Sequence, residues 1–509
     1  MAMKDKNRKG ERRMGQYIVA LDQGTTSSRA VVFTTDGQVV SSFNREFPQH
    51  YPKPGWVEHD PRDILDTQIE ALQEAVRLGG IHVSEIAAIG LTNQRETTFL
   101  WDRATGECVG NAIVWQCRRT SGIVDQLVSD GCGDLIRERT GLVPDAYFSG
   151  TKLKWMLDYY NLHEKAAKGE LCFGTVDSFL CWHLLEGRPH VTDATNAGRT
   201  MLFNLRTQDW DDDLLKLLDI PRACLPKVVD SAGPIGLLDP AILGRAIPVT
   251  GMAGDQHASL FGQACMKVGD LKNTYGTGCF MLMNTGDRPV VSQNGLLTTM
   301  AWRIGGKPTY ALEGSVFMGG ATIQWLRDEL KIITHAAETE GIARSIPGTG
   351  GVYLVPAFTG LGAPWWDMYS RGTLIGMTRG TGRAQIVRAA LEAIAYQSAD
   401  LMEAMARDSG KQPERLQVDG GASANSFLMQ FQADISGIPV VRPVVLETTA
   451  LGAALLAGLG AGVYSSLEET AAVWHQDLSF TPQMDEATRL LGLKGWHRAV
   501  ERSLNFAEH

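Results

Sequence analysis

The chain reads as an α/β protein of two duplicated halves flanking a hinged catalytic cleft. Three features point there: a strand, glycine turn, strand unit that occurs twice, short β-branched runs alternating with helical stretches, and a restart of that alternation near mid-sequence.

The first unit opens with a strand-like run at 17–21. It ends in Asp22-Gln23-Gly24-Thr25-Thr26-Ser27-Ser28-Arg29 and re-enters a strand at 30–33. This hairpin tip holds a carboxylate, a glycine and four hydroxyls. An acidic residue at a strand end can hold a metal ion, Gly24 lets backbone N–H groups approach an anion, and the hydroxyls add donors. The tip is therefore a candidate phosphate grip. A doubly wound nucleotide fold opens with one strand, a glycine loop and a helix, whereas this chain opens with strand, turn, strand. An amphipathic helix follows at 64–78, announced by Asp60-Pro61, and then a buried strand at 86–91.

From Ala264 the signals start again. Asn273-Thr274-Tyr275-Gly276-Thr277-Gly278 repeats the glycine turn before a strand at 279–283, and Gly276 lies about half of the 509 residues beyond Gly24. A long helix is expected at 384–407, with Ile386, Ala390, Ile394 and Leu401 on one side. A short strand at 416–418 is broken by Asp419-Gly420-Gly421 before a helix that opens near Asn425 or Ser426. Residues 449–462 are rich in Ala and Gly, which suits close helix packing. The division that follows is a basic tail over 1–14, an N-terminal domain over 15–263 and a C-terminal domain over 264–509. No low-complexity linker joins the halves, so the boundary is expected to act as a hinge.

Composition is that of an ordinary soluble globular protein, 44% hydrophobic and 21% charged. A net charge of −9 argues against nucleic acid as the main partner. The one basic stretch, 4–13, reads as a solvated tail, and Met14 is an alternative start. No apolar core follows that tail and no segment offers the roughly 20 unbroken apolar residues that cross a bilayer, so a cytoplasmic protein without membrane insertion is expected. The eight cysteines form no C-x-x-C pair and read as reduced, mostly buried thiols. Cys279, beside the second turn, is assigned to packing.

A Walker A loop is missing: Gly306-Lys307 and Gly410-Lys411 are followed by Pro308 and Gln412 where Ser or Thr is needed. Protein-kinase signatures are missing too. Phosphate handling thus falls to the two glycine turns. Upstream of the second lies Gly251-Met252-Ala253-Gly254-Asp255-Gln256-His257, where Asp255 is placed to accept a proton from an attacking hydroxyl. The plainer role for Asp255, an N-cap for a helix over 257–261, is compatible with that one. In Asp419-Gly420-Gly421-Ala422-Ser423-Ala424-Asn425, paired glycines at a strand-to-helix junction permit flat approach of an adenine ring, with Asn425 at its edge.

Loop, base, loop and adenine turn in that order resemble the actin-like ATPase superfamily, with its ribonuclease H-like domains. YFSGTKLKW from Tyr147, and GTLIG from Gly372 running on to Leu391-Glu392, resemble the two signatures of the FGGY carbohydrate kinases. ALDQGTTSSR, YPKPGWVEHDP, TNQRETT, NAIVWQCRRT, FSGTK, GDQ, NTYGTGCFMLMNTG and VPAFTGLGAPWWD are similar to the glycerol-phosphorylating branch of that family. The likeness runs from about Tyr17 to the C-terminal region.

The resemblance implies ATP-dependent phosphorylation of glycerol to sn-glycerol 3-phosphate, with ATP and Mg²⁺, in a homodimer or homotetramer. By the same likeness Arg95, Glu96 and Tyr147 read the glycerol hydroxyls. Asp255 and Gln256 complete that set, with Asp255 as general base, and Trp115 and Phe280 form apolar walls. Thr25, Thr26, Ser27, Arg29, Gly276 and Thr277 fall to the phosphates; Gly320, Gln324, Gly421 and Asn425 surround the nucleoside. Asp22, through water, and Asp255 would hold Mg²⁺. Two stretches depart from the pattern: His257 stands where the family tends to have glutamine, and 237–246 matches poorly, so sugar-bisphosphate control is not carried over. The alternatives are an FGGY kinase for a pentulose, a hexulose or gluconate, and a non-catalytic ATP-driven switch.

Overall fold

A computed structural model of the chain describes residues 16–507. The basic tail over 1–14 and the alternative start at Met14 lie outside the described residues. The chain forms two compact units, one up to Gly262 together with Trp302–Pro308 and Thr449–Val473, the other made of Gln263–Ala301, Thr309–Thr448 and Trp474 onward. Residues 302–308 and 449–473, which sequence reasoning placed in the second half, thus group with the first. Each unit has its own hydrophobic core.

In the first unit, β1 (Tyr17–Gln23), β2 (Ser27–Thr34) and β3 (Val39–Glu46) form an antiparallel meander. β4 (Ile86–Asn93) then runs parallel to β1 on its other side, as the continuous apolar run of a strand buried on both faces requires. β5 (Ala232–Leu237) returns antiparallel to β6 (Pro248–Gly254), which is parallel to β4. Helix α1 (Pro61–Gly79) covers β2 and β3. Asp60 caps it by accepting from Arg62 N at 2.8 Å, Pro61 opens its first turn, and Gly80 ends it in the left-handed region at φ 60°. Helix α2 (Ser149–Tyr160) follows, and α3 (Asp255–Gly262) starts at the residue after β6.

The second unit repeats the plan. β7 (Leu271–Tyr275), β8 (Cys279–Gly286) and β9 (Lys307–Val316) are the antiparallel meander. β10 (Leu416–Asp419) runs parallel to β7 and β11 (Val440–Pro443) parallel to β10. Helices α4 (Gly320–Asp328), α5 (Glu338–Arg344), α6 (Arg383–Ser409) and α7 (Ser426–Ser436) pack around it. The apolar side expected on the long helix is buried at Ala390, Ile394 and Leu401, and Gly410 closes it in the left-handed region.

Helix α8 (Thr448–Gly460) belongs from Thr449 onward to the first unit, and its composition explains the contact. A Cβ at Gly90 of β4 would lie 2.0 Å from Ala453 O, and one at Gly452 would lie 1.8 Å from Ala258 O in α3. Only hydrogen fits at these two crossings, so the backbones meet without intervening side chains. The chain then completes the second unit with β12 (Gln476–Phe480), antiparallel to β11, and α9 (Glu486–Ser503). No helix among the described residues is long and apolar enough to cross a membrane.

Candidate functional site

Parallel strands aligned in register deliver their carboxyl ends to one edge. In the first unit Gln23 of β1 and Gly254 of β6 both pair with Asn93 of β4, so the loops that follow these three strands leave from the same level. From β1 comes the first glycine turn, from β4 Gln94, Arg95 and Glu96, and from β6 Asp255. Ligands of open α/β sheets gather at this end.

The glycine turn is closed by Gly24 N donating to Ser27 O at 2.9 Å. Asp22 and Arg29 face each other across the hairpin and both are half-buried. Ser27 opens β2, and Thr26 is exposed at the tip. The Thr25 hydroxyl accepts from Trp115 Nε1 at 3.0 Å, which ties the expected phosphate turn to the expected apolar wall.

Arg95 joins the expected polyol residues to one another. Its Nε lies 3.1 Å from Asp255 Oδ1 and 3.9 Å from Glu96 Oε1, and its Nη2 donates to the Tyr147 hydroxyl at 3.5 Å. Trp115 meets Tyr147 edge-on with ring centroids 5.5 Å apart. Glu96 sits in the left-handed region at φ 62°, unusual for a residue with a side chain and a frequent mark of functional loops. Gln256 is buried in the first turn of α3 beside Asp255. Asp255 itself keeps 32% side-chain exposure where Arg95 and Glu96 keep 2% and 1%, so it is the open member of the group. The bonds from Arg95 Nε and from Gln256 N, at 3.1 and 2.7 Å, both fall on Oδ1.

Two residues that sequence reasoning missed hold this group from behind. Arg199, fully buried, donates through Nε to Glu96 Oε1 at 2.6 Å and lies over the rings of Tyr147 and Phe148. Lys152, also fully buried, donates to the carbonyls of Ala146, Tyr147 and Phe148 at 2.5, 2.6 and 3.3 Å, using the three donors of an ammonium. Burial pulls its pKa down to about 7, and Glu96 acts in the opposite direction. Lys152 was visible within the FSGTK stretch; Arg199 lies in no stretch that carries a pattern.

Asp22 and Asp255 stand at the ends of β1 and β6, one strand apart on either side of β4, which sets their backbones roughly 10 Å apart. Among the described residues no group of three or more His, Cys, Asp or Glu side chains could hold a metal. Two separated carboxylates nevertheless suit a hard ion that keeps waters and takes its remaining ligands from phosphate oxygens, as Mg²⁺ does.

The second unit carries an open pocket of about 470 Å³. Gly276, Thr277, Gly320, Gln324, Gly421 and Asn425 all line it, and Ile323, Leu391, Ile394 and Leu428 supply apolar surface. Its size and its mix of apolar wall and few polar groups are those of small-molecule sites. The second glycine turn holds the start of α4: Gly320 N donates to Gly276 O at 2.8 Å and Ala321 N to Thr277 O at 3.0 Å. Asn425 caps α7 by accepting from Leu428 N at 3.0 Å, and its Nδ2 donates to Thr339 Oγ1 at 3.1 Å, so its amide is fixed by the protein. Thr339 and Glu340 of α5 also line the cavity; neither stands in a motif. Phe280, the second expected apolar wall, lies on β8 of the second unit and is half-buried there.

Comparison with known proteins adds a family and its members' activities. A model of the N-terminal domain of the FGGY family of carbohydrate kinases matches residues 17–262, and one of its C-terminal domain matches residues 271–461. A glycerol kinase of Symbiobacterium thermophilum is 59% identical over 492 residues, covering 96% of this chain and 99% of the relative. Glycerol kinase 2 of Thermotoga maritima is 59% identical with the same coverage. Among solved structures, Plasmodium falciparum glycerol kinase with ADP superposes with a TM-score of 0.91 at 35% identity, over 96% of this chain and 98% of that one. Xylulose kinase of Lactobacillus acidophilus shares the fold at a TM-score of 0.87 and 24% identity, over 96% and 97% of the two chains.

Proposed function

The chain belongs to the FGGY family of carbohydrate kinases, and we propose that it transfers the terminal phosphoryl group of ATP to glycerol, giving sn-glycerol 3-phosphate. The observation that carries this reading is near full-length identity of 59% to glycerol kinases, with an Arg95, Glu96, Tyr147 and Asp255 group already assembled in the first unit.

Glycerol offers three hydroxyls and a C–H edge. Arg95, Glu96, Tyr147 and Gln256 pair with the hydroxyls, and Trp115 covers the edge; a site of this kind rejects analogues that lack a hydroxyl, because its buried polar groups are then left unpaired. Asp255 takes the proton of the terminal hydroxyl on Oδ2, the oxygen that neither Arg95 Nε nor Gln256 N uses, as the glycerol oxygen attacks the γ-phosphorus in line and the bond to the bridging oxygen of the departing ADP breaks. The pair with Arg95 orients the Asp255 carboxylate. In the first unit Thr25, Thr26, Ser27 and Arg29 are the proposed phosphate contacts; in the second unit Gly276 and Thr277 take that role, and the cavity beside Gly320, Gln324, Gly421 and Asn425 takes the nucleoside. Mg²⁺ bound with ATP, near Asp22 and Asp255, would supply positive charge against the phosphate oxygens.

ADP release with glycerol, dihydroxyacetone, glyceraldehyde, xylulose and gluconate tests the substrate. Glycerol should give the highest kcat/KM. A preference for xylulose or gluconate would overturn the reading in favour of another branch of the family.

A further inference from the structure

We propose that His59 is a positioning residue for the first glycine turn: acting through Gln49 and Gln94, it holds the carbonyls of Gly24 and Thr25 so that the turn's remaining donors are left to an anionic ligand. The inference rests on the reading of that turn as a phosphate grip.

An anion-binding turn must direct N–H and O–H groups at its ligand, and any carbonyl that rotates toward the ligand repels it. Here the two carbonyls at the tip are claimed by three glutamine amides. Gly24 O accepts from Gln23 Nε2 at 2.8 Å and from Gln94 Nε2 at 3.0 Å. Thr25 O accepts from Gln49 Nε2 at 3.0 Å. His59 stands behind two of the three: its Nε2 is 2.7 Å from Gln49 Oε1 and its Nδ1 is 3.4 Å from Gln94 Nε2.

The polarity of this chain follows from the carbonyls, which can only accept. Gln49 must present its nitrogen to Thr25 O, so its oxygen faces His59 and the ring must carry its hydrogen on Nε2. Nδ1 is then bare and faces Gln94 Nε2, which shares its two hydrogens among Gly24 O, Gln23 Oε1 at 3.1 Å and this ring nitrogen; the Gln94 orientation is fixed by Thr97 Oγ1 donating to its oxygen at 2.8 Å. Only the neutral imidazole fits this pattern. Burial, with His50 nearby, pulls the His59 pKa down to about 4, which keeps it neutral. The ring is fully buried and meets Phe47 edge-on at 5.1 Å.

Two uncharged substitutions test the role in the full chain: His59→Phe, which keeps a ring against Phe47, and Gln49→Met, at a half-buried position where folding is safer. Each should raise KM for MgATP by about fivefold or more while KM for glycerol stays within about twofold, the split expected when the phosphate side alone is disturbed. The double variant should be no worse than the poorer single one, because both act through one chain. An active wild type whose Gln49→Met variant keeps its KM for MgATP, or shows equal shifts in both KM values, overturns the role. A wild type that releases no ADP with glycerol overturns the proposed reaction itself and this role with it.

Discussion

Arg199 Nε donates to Glu96 Oε1 at 2.6 Å, and neither side chain has more than 1% of its surface in water. Removing one partner of a buried pair strands the other charge, at a typical cost of about 3–5 kcal/mol. Arg199→Met should therefore lower the denaturant midpoint sharply and raise KM for glycerol, since Glu96 loses the contact that aims it. Arg95 Nε at 3.9 Å from the same oxygen offsets part of this loss, which places the expected cost at the lower end of the range. Urea titration and steady-state kinetics of the variant check both effects.

Gly320 approaches the second glycine turn more closely than any side chain permits. A Cβ there would lie 2.7 Å from Gly276 O, against a backbone carbonyl that itself accepts from Gly320 N. Gly320→Ala must displace the turn or the start of α4, and overpacking of this kind commonly costs about 1–3 kcal/mol. Calorimetric titration with ADP should show affinity weakened about tenfold or more, with glycerol binding unchanged.

Asp400 ties together three elements of the second unit. It accepts from Trp496 Nε1 at 2.8 Å, from His497 Nε2 at 2.8 Å and from Trp365 Nε1 at 3.2 Å. The hydrogen bond to Asp400 raises the His497 pKa above its ordinary 6.5, outweighing partial burial. A raised folded-state pKa contributes stability that is complete below the unfolded value and is lost as pH rises through the folded one. The stability difference between wild type and His497→Gln should accordingly be larger at about pH 6 than at about pH 9. Urea midpoints for the two proteins at both pH values check the sign.

The turns and strands were legible because their signals are local. Asp22 to Arg29 between two β-branched runs dictates a hairpin, Asp60-Pro61 dictates a helix start, and the Ala- and Gly-rich run near 449–462 dictates close packing. What that helix packs against was not legible: its grouping with the first unit depends on Gly90 and on Ala258, about 200 or more residues away in sequence. The same limit applies to the site. Arg95, Glu96 and Asp255 stand in recognisable stretches, whereas Arg199 and Thr339 act through partners distant in the chain and carry no pattern of their own.

The proposed reaction depends on Asp255 as the group that takes the proton from glycerol. Asp255→Asn preserves shape and a hydrogen-bonding end but cannot act as a base. The deciding measurement is kcat of that variant alongside calorimetric affinities for glycerol and ADP. The prediction is a fall in kcat of about 10²–10⁴-fold with both affinities within about threefold of wild type. Wild-type turnover by Asp255→Asn would contradict the account.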